Sequence, residues 1–106
     1  MERLRLTRFD LPLFWMLLDW SMSRFVDLEL LREISPGHVL QGRQFQAIAY
    51  RVGSDDFLFQ LDEGVADVHL TFMKEHRCEF PSTKLYATLQ DWAAAVKADD
   101  LRCATT

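Results

Sequence analysis

VADVHLTF, residues 65–72, decides how the chain is read. Side chains alternate along a strand, so Val65, Asp67, His69 and Thr71 share one face while Ala66, Val68, Leu70 and Phe72 share the other. The second set is pure hydrocarbon and belongs to a core. The first is polar from Asp67 onward and faces water or a ligand. Working backward, DEG (62–64) is a turn with Gly64 free to take a positive φ, and FLFQL (57–61) is a second alternating strand. GSDD (53–56) is another turn, and QFQAIAYRV (44–52) a further strand. Turns this short join only antiparallel neighbours, so the centre of the chain is predicted to be a three-stranded antiparallel meander.

Helical spacing flanks these strands. Toward the carboxy terminus, Pro81 ends the extended segment, Ser82 or Thr83 caps, and Leu85, Leu89, Trp92 and Val96 recur as one stripe. Asp99 and Asp100 oppose the negative end of that helix, which predicts a frayed tail over 101–106. Before the strands, Phe25, Leu28, Leu31 and Ile34 mark a helix over 24–34, supported by Val26 and Leu30, with Ser23 as its cap and Ser35-Pro36-Gly37 as its stop. Residues 1–23 read as an apolar extension. Asp10 and Pro12 suit a helix start, and Leu13, Phe14, Leu17 and Leu18 then follow at helical spacing, with Trp15 and Met16 making the helix apolar all round. The reading is an α+β domain over 24–100, α-β-β-β-α in order, with N-terminal helices and a C-terminal helix packed on one face of the sheet.

With 106 residues the chain suffices for a single core. A net charge of −4 with scattered basic residues argues against nucleic acid as a partner. Cys78 and Cys103 form no CxxC pair and are read as reduced thiols of a cytoplasmic protein. His76, Cys78 and Glu79 lie too close together along the chain to converge on one ion, so no metal and no cofactor is expected. The apolar run LPLFWMLL (11–18) imitates a secretory signal, but Asp10 and Asp19 bracket it and Trp20 stands where a cleavage region needs small residues. It is also too short to span a bilayer, and no membrane partner is expected.

For chemistry, His69 is the first candidate as general acid or base, with Asp67 to orient it and Thr71 to donate to a substrate oxygen. His38 and Arg43, each beside a glycine in the loop SPGHVLQGR (35–43), form a second polar group, and Asp55 and Asp56 a third. No nucleophile elbow and no glycine-rich phosphate loop is present. His69-Leu70-Thr71 matches half of the paired motif of the two-histidine phosphoesterases, but neither His38 nor His76 is followed by a threonine two positions on.

GHVLQGR (37–43), DDFLFQL (55–61), VHLTF (68–72) and PSTKLYATLQDW (81–92) together resemble a family of small bacterial proteins with no assigned activity; the likeness runs from roughly residue 25 to 97. Members read Gly-His-Pro-Leu and Val-His-Leu-Thr-Trp where this chain has Val39 and Phe72. The resemblance implies a compact bacterial domain with His38, Arg43, Asp55, Asp56 and His69 as its polar positions to examine, and leaves residues before 24 as an addition used for packing.

The functional expectation is a non-enzymatic protein-interaction module, self-associating through Leu13, Phe14, Trp15, Leu17 and Leu18 or binding another protein, as a toxin-neutralising immunity protein does. The rival expectation is a small hydrolase or ligand-binding enzyme in which His38 and His69 meet across one pocket.

Overall fold

The computed structural model describes residues 2–104. Its centre is a five-stranded, fully antiparallel meander in sequential order: β1 Trp15–Leu17, β2 Phe45–Arg51, β3 Asp56–Leu61, β4 Val65–His69 and β5 Ser82–Tyr86. Helix α1, Trp20–Glu33, connects β1 to β2, and α2, Leu89–Ala104, follows β5. The three expected strands are present; β1 and β5 are additions to the expected meander, and each replaces a stretch expected to be helical.

At the amino end, only Arg8–Asp10 is helical, a single 3-10 turn capped by Thr7 and closed by a capping box with Asp10. Beyond Pro12 the chain turns through Phe14, at φ 74°, and enters β1. As a strand the segment gains ladder bonds that an isolated greasy helix lacks: Trp15 to Leu17 pair with Arg51 to Ala49, Val52 N–H donates to the Phe14 carbonyl at 2.8 Å, and Leu18 N–H to that of Ile48 at 3.0 Å. The expected all-round apolar helix is therefore corrected to an edge strand of the same domain.

At the other end, Ser82 to Tyr86 pair with His69 to Val65, so Leu85 belongs to a strand and not to the helix stripe. The helix starts at Leu89 with Thr88 as its cap, whose hydroxyl accepts from Asp91 N–H at 3.0 Å. It also does not fray at Asp99. Arg51 ion-pairs with Asp100 at 3.0 Å, Arg102 with Asp99, and the helix runs on to Ala104. The rest of the expected tail, 105–106, lies outside the described residues.

The helices lie on opposite faces of the sheet, where one covered face and one bare face were expected. Val26 and Leu30 of α1 pack with Ala47, Phe59, Leu61, Ala66 and Val68. Trp92 and Val96 of α2 pack with Ile48, Ala49, Leu58 and Val65, joined by Leu11 and Trp15. By strand alternation these are the two sides of the same strands. A β-bulge in β2 adjusts the sides: Ala47 faces Phe59 and Ala49 faces Leu58, leaving Ile48 as the extra residue, so that Ile48 and Ala49 both join the α2 face.

Helix α1 starts earlier than its apolar stripe suggests, with Asp19 rather than Ser23 as cap; the Asp19 carboxylate accepts from Met22 N–H at 2.8 Å. Its buried residues are Ser23, Val26, Leu30 and Glu33, and three of its polar side chains hold backbone. The Ser23 hydroxyl donates to the Ala47 carbonyl at 2.5 Å, and Ala47 N–H donates to the Asp27 carboxylate at 2.6 Å. Strand β1 reaches only to the position opposite Ala49, so at Ala47 these side chains stand where a neighbouring strand has ended. Glu33, fully buried, accepts from Thr71 N–H and Phe72 N–H, each at 2.8 Å, and from the Thr71 hydroxyl at 3.0 Å. Phe72 sits at φ 57°, where the chain leaves β4.

Burial pushes the Asp27 carboxyl up to about 6 from 3.8, against the Ala47 N–H that favours its ionised form. With the folded value above the unfolded one, the folded state holds the proton more tightly; this contribution is complete below about pH 4 and is lost as pH rises through about 6. Asp27→Asn keeps an acceptor for Ala47 N–H and removes the buried charge, so it should be more stable than wild type at pH 8 by on the order of 1 kcal/mol, after allowance for solvent screening, with the difference closing at pH 4. Urea titrations at both pH values check this; equal destabilisation at both would refute it. Separately, Gly64 lies at φ 79° and a Cβ there would overlap the Tyr86 carbonyl oxygen. Gly64→Ala should lower stability by about 2 kcal/mol or more, read as a fall in thermal midpoint.

Candidate functional site

The polar face of β4 opens into a cleft of about 250 Å³ between the sheet and the last turns of α2. Cross-strand register builds it. Asp56 on β3, His69 on β4 and Ser82 on β5 lie opposite one another in a row, and Asp67 lies opposite Leu58 on one side and Lys84 on the other. From β2, the bulge turns Arg51 to this same side, and Trp15 opposite it on β1 closes the wall. Val96, Asp99 and Asp100 of α2 form the roof.

Within the cleft the charges are largely matched. His69 Nδ1 lies 2.8 Å from Asp56 Oδ1, and the other Asp56 oxygen accepts from the Ser54 hydroxyl at 2.5 Å. Arg51 holds Asp100. The Trp92 indole N–H donates to Asp67 Oδ2 at 3.0 Å, and the Trp92 and Trp15 rings meet edge to face with centroids 4.9 Å apart. Burial pushes the Asp67 carboxyl above the ordinary carboxylate range; the Trp92 bond works against that, the Asp56 charge adds to it, and Lys84 and Arg51 pull it back. Two groups remain open. The Lys84 ammonium makes no hydrogen bond or ion pair among the described residues, and the buried Trp15 indole N–H has no acceptor there.

Of the residues singled out from sequence, Asp56, Asp67 and His69 are brought together; the others are dispersed. His38 is buried on the opposite face of the sheet. Leu40 N–H donates to its Nδ1 at 3.0 Å, which assigns the proton to Nε2, 2.9 Å from the Pro81 carbonyl and 3.3 Å from the Thr83 hydroxyl. Thr83 neighbours Val68 in the α1 core, whereas Ser82 faces His69. His38 and His69 therefore share no pocket, and a hydrolase built on the pair lacks its second proton-transfer group. Arg43 pairs with Asp62 at 3.0 Å in the turn between β3 and β4, holding the Asp62 carboxyl below its usual range. Asp55 is exposed, its carbonyl accepting from Leu70 N–H. Thr71 turns away from the polar row to Glu33. Leu13, Phe14 and Leu17 are exposed, while Trp15 and Leu18 are buried within the chain's own cores.

The cleft also recruits residues that sequence reasoning passed over: Arg51, Ser82, Lys84, Trp92, Asp99 and Asp100. Ser82 and Lys84 carried a signal, since STKLY alternates as a strand does. Arg51 carried none, because its side depends on the bulge. Among the described residues no three His, Cys, Asp or Glu side chains cluster as metal ligands, and no helix is long and apolar enough to cross a membrane. No protein-family model, curated protein or solved structure matches the chain.

Removing the indole donor should expose what Asp67 costs the fold. Trp92→Phe keeps most of the ring packing but leaves the half-buried carboxyl without its N–H partner, a loss of about 1–3 kcal/mol. Asp67 prefers its proton in the folded state, so the loss should be larger at pH 8, where the orphaned group is charged, than at pH 4. Denaturant titration at the two pH values reads the difference; a loss independent of pH would mean that the indole contributes packing alone.

Proposed function

We propose that the protein is a self-associating interaction module whose contact surface is the outer face of α1. One observation carries the reading: α1 buries polar side chains beside Val26 and Leu30 and leaves an apolar ridge outside. It turns Ser23, Asp27 and Glu33 inward to hold backbone and leaves Phe25, Leu28 and Leu31 at 57%, 59% and 63% exposure, with Trp20 and Met22 exposed beside them. An amphipathic helix on a lone domain keeps its outer face polar, and contiguous apolar patches on soluble proteins mark contacts.

A second copy of the chain fits this surface because ridge and groove stand side by side. Met22 lies one turn from the Phe25–Leu28 ridge and lines a groove of about 290 Å³ with Leu17, Leu18, Tyr50 and Phe57. A two-fold contact uses the same patch twice, and a patch with both a projection and a recess can complement itself. The expected interface thus moves from the segment 13–18 to α1, retaining Leu17 at the groove wall.

Sedimentation velocity of the full chain at about 100 µM should find a dimer, and Leu28→Glu or Phe25→Glu should return it to monomer with unchanged circular dichroism, since both positions are exposed. Wild-type protein that sediments as a monomer at that concentration overturns the proposal.

A further inference from the structure

On the face of the sheet away from α1, we infer that the cleft at Asp67 and Lys84 binds a small apolar α-amino acid as its zwitterion. The cleft holds complementary vacancies. Apart from Arg51, whose guanidinium is held by Asp100, the cleft offers the Lys84 ammonium, free of ion pairs, and the Ser82 hydroxyl two residues away on the same side of β5. These are donors for a carboxylate. Asp67 spends Oδ2 on Trp92 and keeps Oδ1 for an ammonium group, directly across the strand pair from Lys84. Positive and negative recognition groups are therefore neighbours, as the two ends of an α-amino acid are.

The surrounding wall selects among ligands. The Trp15 ring, 5% exposed, and Val96 give an apolar side that a hydrocarbon side chain can cover. A phosphate is disfavoured, because Asp56, Asp67, Asp99 and Asp100 all line the same space. A bare metal ion is disfavoured by the lack of a three-ligand cluster among the described residues. The size, about 250 Å³, lies below the usual range for drug-sized ligands and suits a small metabolite. The inference does not depend on self-association, since α1 lies on the other side of the sheet.

The test is a titration of the nitrogen-15-labelled full chain with L-leucine, followed through the three tryptophan indole N–H signals assigned with Trp15→Phe and Trp20→Phe. Leucine should shift the Trp15 signal saturably with a Kd of about 1 mM or tighter, leaving that of exposed Trp20 in place. Lys84→Met and Asp67→Asn should each weaken the response about tenfold, and Lys84→Arg should retain it. 4-Methylvalerate, which lacks only the amine, and isoamylamine, which lacks the carboxylate, should each bind about tenfold more weakly than leucine. 4-Methylvalerate binding as well as leucine would replace the zwitterion with a simple carboxylate and overturn the assignment. So would a Trp15 signal unmoved at about 20 mM leucine, or a shift indifferent to Lys84→Met.

Discussion

The structure depends on a set of backbone groups that the sheet leaves open and a single helix closes. Strand β1 stops short of Ala47, and β4 ends before Thr71 and Phe72. Buried N–H and C=O groups without partners are costly, and here α1 supplies the partners through Ser23, Asp27 and Glu33. These three side chains dictate which way the helix faces. Val26 and Leu30 come inward with them, and Phe25, Leu28 and Leu31 go outward because no helix can present both sets to the same sheet. The exposed apolar ridge is thus a consequence of satisfying the backbone.

The other side of the sheet shows the same economy in a different form. Trp92 fills the centre of the α2 core, meets Trp15 edge to face and uses its one polar atom on Asp67. That bond lets a carboxylate sit at the border between core and cleft. Arg51, turned to this side by the bulge, ties the far end of α2 down through Asp100 and completes the wall. Packing and site are consequently not separable here: the residues that seat α2 also line the cleft, so its shape is set by the domain's own stability.

The two sides carry different chemistry for a physical reason. On the α1 side hydrocarbon is left over after the backbone has been served, which favours contact with another apolar surface. On the α2 side fixed charges are left over, held a few ångströms apart by strand register, which favours a small polar ligand. A histidine on each side, His38 and His69, illustrates the division: the first is a buried brace between a loop and the Pro81 carbonyl, the second an exposed partner of Asp56.

By itself the sequence determined the middle of this protein. Alternation and glycine-bearing turns placed β2, β3 and β4, paired Asp67 and His69 on one face, and put Ala66 and Val68 in the core, because period and turn chemistry are local properties. Only the tertiary structure decided the rest. Trp15–Leu17 and Ser82–Tyr86 are short stretches whose apolar residues suit a helix or a strand equally, and they became strands because the meander had edges to pair. The burial of Ser23 and Glu33 in place of Phe25 and Leu28 likewise follows from backbone groups 24 and 38 residues distant, a demand that no periodicity along α1 can express.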